Sequence, residues 1–205
     1  FAVREARGEY LLFLNNDVEI ITENWLEEML QLCQQKDVGM VGAKLYYPDD
    51  TIQHAGVVVG LGGVAAHVLC KLPRDAEGYM GRLRCVQEIS AVTAACMMVK
   101  TSVFKAVGGF DEELKVAFND IDLCMKVRKY GVKIVFTPYA ELYHYESKSR
   151  GMEDTPEKQL RFSREVNCFR RKWERELLKG DPYYNPNLTL NNTDCYLRKQ
   201  EKNGD

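Results

Sequence analysis

A chain of 205 residues with 45% apolar and 28% charged residues can bury one sizeable core and is short for two domains. The formal net charge of −2 argues against a surface for nucleic acid, and no apolar run reaches the length of a transmembrane helix. Seven cysteines, an odd number without a C-x-x-C pair, read as small buried hydrophobes of a reducing compartment rather than as a disulfide or zinc framework.

The opening "FAVREARGEY" reads as the end of a helix running into a strand, so the chain is expected to be part of a longer one. Residues 10–14 are a short, fully apolar strand suited to burial on both faces. It stops on Asn15-Asn16-Asp17. Residues 22–35 then place Trp25, Leu26, Met29, Leu30 and Cys33 on one helical face, with Thr22 as N-cap. A second strand is predicted at 38–47, closed by Pro48-Asp49-Asp50, and a third at 55–63. Residues 64–88 show no period and read as a long surface loop. Beyond it come a buried strand at 90–100, a short helix at 102–107 stopped by Gly108-Gly109, and a helix at 120–130 with Ile121, Cys124 and Val127 inward and Gly131 after it. Strands at 132–136 and 140–145 flank Pro138, a charged amphipathic helix covers 155–178, and an irregular tail follows from 180 to 205. Strands alternating with helices indicate an α/β fold, and the hairpin-like pieces make the sheet mixed.

Three stretches could carry chemistry. Asn15-Asn16-Asp17, at the end of a buried strand, is either an ordinary turn or a set of oxygen ligands for Mg²⁺ or Mn²⁺. Asn119-Asp120 opens a helix, as a cap or as a carboxylate held over a cleft to take a proton from a hydroxyl; Asp122 follows on the same turn. His144 ends a strand just before Lys148, Ser149 and Arg150, which suits a metal ligand beside diphosphate-binding groups, or else a solvated basic loop. His54 and His67 read as structural or loop-forming. P-loop, serine-hydrolase and zincin motifs are absent from the sequence.

Taken in order, "ARGEYLLFLNNDVEI", "VGAKLYYPDDTIQHAGVVVGLGG", "SAVTAACMMVKTSVFKAVGGFDEEL", "AFNDIDLCMKVRKYGVKIVFTPYAELYHYESKSRG" and "DPYYNPNLTL" resemble the family 2 glycosyltransferases of the GT-A fold. The likeness is to the bacterial rhamnosyltransferase and O-antigen type. It implies a GT-A-like mixed sheet flanked by helices, with a Rossmann-like half truncated at its N-terminus, and one partial glycosyltransferase domain over 1–205. Asn15-Asn16-Asp17 matches the family's D-x-D motif, with Asn15, Asp17 and His144 implied for the metal. Asn16, Ser149 and Arg150 are implied for the donor diphosphate. Asp120 falls on the catalytic base, and Asn119, Asp122, Gly109 and Phe110 fall on the acceptor side. Asn replaces an acid at both Asn15 and Asn119.

The implied reaction is inverting transfer of a sugar from a nucleotide-sugar donor to a saccharide or lipid-linked saccharide acceptor, in cell-surface polysaccharide synthesis. A divalent cation, Mg²⁺ or Mn²⁺, is the implied cofactor. A cytoplasmic location is implied, with the inner membrane face reachable through peripheral association of the full-length chain. Most of the nucleotide pocket is expected upstream of Phe1, so the chain alone is expected to be inactive. The alternatives from other classes are a non-catalytic carbohydrate-binding module and a purely structural domain that keeps the fold.

Overall fold

The computed structural model describes residues 2–146 and 155–199. In chain order its elements are α1 (Ala2–Glu5), β1 (Tyr10–Leu14), β2 (Val18–Ile20), α2 (Trp25–Cys33), β3 (Val38–Tyr46), β4 (Ile52–His54), β5 (Val57–Val59), β6 (Ala65–His67), β7 (Gln87–Glu88), β8 (Cys96–Lys100), α3 (Thr101–Ala106), α4 (Asn119–Tyr130), β9 (Lys133–His144), α5 (Pro156–Lys172) and α6 (Glu174–Lys179). The main sheet runs β1-β8-β3-β9-β2, with β4 on β3 and β7 on β9, while β5 and β6 pair separately. Among the described strands β3 and β9 are the parallel pair, and the other pairings are antiparallel. The sheet is mixed, as predicted.

Every residue of β3 is buried because both of its faces are covered. On one face Trp25, Met29 and Cys33 of α2 pack on Val41, Ala43 and Leu45. On the other, Met40 joins Ile121, Cys124 and Val127 of α4 and Phe169 of α5. Gly42 lets the segment before β8 lie close on the sheet. A Cβ there would stand 2.3 Å from Val92 Cγ1.

Several boundaries differ from the sequence reading. One strand, β9, runs through Pro138, and the β3–β9 register slips between Gly42 and Lys44, which accommodates the missing donor. The strand expected at 90–100 begins only at Cys96, and the one at 55–63 shrinks to β5. The loop 64–88 contains β6, β7 and a short 3₁₀ segment. Thr22 does not cap α2; its Oγ1 accepts from the Glu141 backbone N–H at 3.2 Å, tying α2's approach to β9. The long C-terminal helix breaks at Trp173, whose φ is −114°. From Gly180 the described chain is irregular and is anchored by buried Tyr184 and Leu188. Among the described residues no helix is long and apolar enough to cross a membrane.

Candidate active-site cleft

Strands β1, β3 and β9 point the same way, so their carboxyl ends share one edge of the sheet, the usual ligand side of an α/β fold. Asn15-Asn16-Asp17 is the turn that leads from β1 to β2 across this edge. The register of β2 on β9 sets Val18 opposite His144, and the Tyr145 backbone N–H donates to the Asp17 carbonyl at 2.8 Å. His144 Nε2 consequently lies 3.3 Å from Asp17 Oδ1 and accepts from Asn15 Nδ2 at 3.0 Å. His144 and Asp17, both implied for the metal by the resemblance, thus stand side by side.

Gln53 determines which nitrogen of His144 carries the proton. Its Nε2 donates to the His144 carbonyl at 3.2 Å and reaches Glu146 Oε2 at 3.4 Å, which fixes the amide orientation. Its Oε1 is left 2.6 Å from His144 Nδ1, so Nδ1–H is the donor there. With Nδ1 as the donor, Nε2 is the nitrogen that accepts from the Asn15 amide and stands beside Asp17.

Across the cleft, the chain enters α4 through Phe118, held at φ 63° in the left-handed region. Neither Asn119 nor Asp120 is the N-cap; that position is Phe118, without a side-chain bond. Asn119 turns its amide back to the Val116 carbonyl at 3.4 Å. Asp120 Oδ1 accepts from the Ile121 N–H at 2.9 Å and Oδ2 from the Ala94 N–H at 3.1 Å. The neighbouring Ala95 carbonyl accepts from the Asn15 N–H at 3.0 Å. Two adjacent residues ahead of β8 thus tether both walls.

Asn15, Asp17, His144, Glu146, His67, Asn119 and Asp120 line one cavity of about 690 Å³, together with the rings of Phe13, Phe110, Phe118 and Phe162. Burial holds His67 below the ordinary histidine range, although Asp120 and Glu146 pull it back up. Behind it, His54 is fully buried with its Nδ1 2.9 Å from His67 Nδ1, and burial keeps it neutral well below that range.

Two residues expected on the acceptor side lie outside this cleft. Asp122 is fully buried on the core side of α4. Its Oδ1 accepts from Trp173 Nε1 at 2.8 Å and pairs with Lys172 Nζ at 2.7 Å, while Oδ2 meets Lys126 Nζ at 3.2 Å. Gly109 turns at φ 66°, and its carbonyl accepts from Lys126. Both therefore belong to the lock around α4, because an apolar helix face carries its acid inward only when cations and an indole meet it. Asn16 is exposed on the turn and does not line the cleft. Ser149 and Arg150 lie outside the described residues.

The glycosyltransferase-like family profile matches residues 1–165. The chain belongs to that family. It is 40% identical over its whole length to the O-antigen biosynthesis protein RfbC of Myxococcus xanthus, of which the match is 16%. It is 56% identical over 96% of its length to the uncharacterized protein y4gI of Sinorhizobium fredii, strain NBRC 101917 / NGR234, covering 22% of that protein. The chain thus spans about a fifth of the length of these curated relatives. Among solved structures it superposes on GalNAc-T7 with UDP, GalNAc and Mn²⁺, with a TM-score of 0.59 and 14% identity, over 86% of this chain and 34% of that one. That likeness is one of fold, and the fold is of the GT-A glycosyltransferase type.

In this glycosyltransferase-like chain, no three His, Cys, Asp or Glu side chains form a metal cluster among the described residues. A cation site would need an amide as its third donor. The donors present still suit one. An imidazole nitrogen, now satisfied by the Asn15 amide N–H, and a carboxylate oxygen stand 3.3 Å apart as two donor atoms that one cation could share. Two adjacent ligands of a six-coordinate Mg²⁺ stand about 3 Å apart. Asn15 supplies an amide oxygen once its side chain turns over, and Gln53 is the outer partner that metal-binding imidazoles ordinarily have.

Sequence reasoning missed Gln53, His67, Glu146 and Ala94. Gln53 and Ala94 carry no sequence signal for this work. His67 reads from the sequence as structural or loop-forming, because the short strand β6 that brings it to the cleft lies in a stretch without period. Glu146, two residues past His144, could have been found by extending the His144 motif.

Proposed function

We propose that this chain is the metal- and acceptor-binding portion of an inverting glycosyltransferase. It would move a sugar from a nucleotide-sugar donor to a saccharide or lipid-linked saccharide acceptor in cell-surface polysaccharide synthesis. Family membership supports sugar transfer, and the relative named for O-antigen biosynthesis supports the pathway class. One observation carries the reading. The Asp17–His144 pair and the tethered carboxylate of Asp120 share one aromatic-walled cleft.

Asp120 is the general base. Each of its oxygens is held by a single backbone N–H, which leaves lone pairs free to take a proton from the acceptor hydroxyl. The acceptor oxygen then bonds to the anomeric carbon as the bond from that carbon to the diphosphate oxygen breaks, with inversion. The hydroxyl proton ends on Asp120. Asp17, His144 and Asn15 would hold Mg²⁺ or Mn²⁺, which when bound supplies positive charge beside the leaving diphosphate. Asn16, Ser149 and Arg150 are proposed on the family resemblance alone to contact that diphosphate. Phe110 and Phe118 offer apolar faces to the acceptor sugar, and Asn119 stands at the same wall.

The test is release of nucleoside diphosphate, by the full-length protein, from a panel of UDP-, dTDP- and GDP-linked sugars supplied with oligosaccharide acceptors. Transfer that needs a divalent cation and Asp120 supports the reading. Saccharide binding with no transfer and no metal dependence would favour the carbohydrate-binding alternative instead.

A further inference from the structure

Glu165 is a buried acid in the middle of an otherwise charged and largely exposed helix, α5, and is only 3% exposed. Its two oxygens accept one backbone N–H each, from Val116 and from Ala117, both at 3.0 Å. Successive N–H groups that converge on one carboxylate form a small anion-binding concavity. The next residue, Phe118, sits at φ 63° and ψ 6°, a conformation that bulky side chains seldom adopt. Its ring is held from the same helix, by Phe162 at 5.8 Å and Phe169 at 5.4 Å between centroids. Arg161, one turn before Glu165, pairs with it at 3.7 Å.

On the far side of Asp120, Lys172 and Trp173 fix Asp122 from the end of α5. The chain is therefore gripped from one element both before and after Asp120. Ala117, Phe118, Asn119 and Asp120 all face the cleft between those grips. We propose that Glu165 is a positioning residue, which keeps residues 116–118 in their strained turn and so aims the Asp120 carboxylate at the acceptor hydroxyl. This rests on the reading of Asp120 as the base.

Two variants of the full-length protein test it. Glu165→Gln keeps the size but sets an amide N–H₂ against one of the two backbone donors. Glu165→Asp keeps the charge but is too short to bridge both. In each, hydrogen exchange at residues 117–122 speeds up at least about 10-fold, while the amides of β3 and β8 stay protected. Sugar transfer, followed as UDP or dTDP release with acceptor present, loses about 10- to 100-fold in kcat, the scale of a small misplacement. The KM for donor and the Mn²⁺ requirement stay as in the parent. Unchanged exchange at 117–122, or a released turn with unchanged kcat, overturns the proposal. If the parent transfers no sugar at all, the glycosyl-transfer reading fails, and exchange at 117–122 alone decides whether Glu165 holds the turn.

Discussion

His144 Nε2 stands 3.3 Å from Asp17 Oδ1, and Gln53 Oε1 stands 2.6 Å from the other nitrogen of the same ring. The imidazole is thereby fixed in both tautomer and direction before any ligand arrives. Removing that outer partner should loosen cation binding without touching a ligand. Gln53→Leu is expected to weaken Mn²⁺ binding about 10- to 100-fold, and His144→Ala to weaken it at least as much. Titration followed by the electron spin resonance of free Mn²⁺ reads this directly, and equal affinity in all three proteins would reject the site.

Asp120→Asn should cut sugar transfer about 10²- to 10⁴-fold in the full-length protein, the range for loss of a general base. The amide can still accept one of the two N–H groups now bound by the carboxylate, and it faces the other with a donor. Stability should therefore fall by about 1 kcal/mol. A folded variant with near-normal turnover would leave Asp120 as a structural tether only.

The buried Asp122 predicts a larger structural effect. Asp122→Ala leaves Trp173 Nε1 without its acceptor and Lys172 and Lys126 without their buried partner. Losing one member of a buried ion pair costs about 3 to 5 kcal/mol, and the lower end is expected here because Lys172 reaches solvent. Urea denaturation checks it. A loss below about 1 kcal/mol would show that the lock contributes little.

The contrast between Asp120 and Asp122 marks how far the sequence could be read. The strand at 10–14 and its polar turn were legible from an unbroken apolar run that stops abruptly, and the helix with Ile121, Cys124 and Val127 inward from its period of 3.6. Burial of that strand on both faces is not met, because β1 is an edge strand with only Leu11 buried. The role of Asp122 was not legible, because its partner Trp173 lies 51 residues along the chain. Gln53, His67 and Glu165 were invisible for the same reason: each acts through a tertiary contact that leaves no pattern around it. Pro138 was read as a strand break, yet β9 passes through it where the β3–β9 ladder slips. The family resemblance placed Asp17, His144 and Asp120 in one site, which local reading alone left open between turn, cap and ligand.

The pair of His54 and His67 gives the fold a pH dependence of definite sign. Burial, then the neighbouring His67 and His144, keeps His54 neutral well below the ordinary range; burial also lowers His67, against Asp120 and Glu146. Unfolded histidines take up protons near pH 6.5. Below that pH the unfolded state binds more protons than the folded one, so stability is full above about pH 7 and declines as pH falls toward the folded-state values. The slope should not exceed about 1.4 kcal/mol per pH unit for each histidine. Urea midpoints at pH 7.5, 6.5 and 5.5 should fall in that order, and His54→Phe should flatten the trend. Midpoints that rise on acidification would contradict it.

The most direct test is sugar transfer by the full-length protein, with and without Mn²⁺, in the parent and in the Asp17→Ala, His144→Ala and Asp120→Asn variants, each verified as folded by circular dichroism. The expected result is Mn²⁺-dependent transfer by the parent. Asp17→Ala and His144→Ala should need at least about 10-fold more Mn²⁺. Asp120→Asn should keep the parent's Mn²⁺ requirement and turn over about 10²- to 10⁴-fold more slowly. Transfer at the parent rate by folded Asp120→Asn, with a Mn²⁺ requirement unmoved by loss of Asp17 or His144, would contradict the assignment of this cleft as the catalytic site.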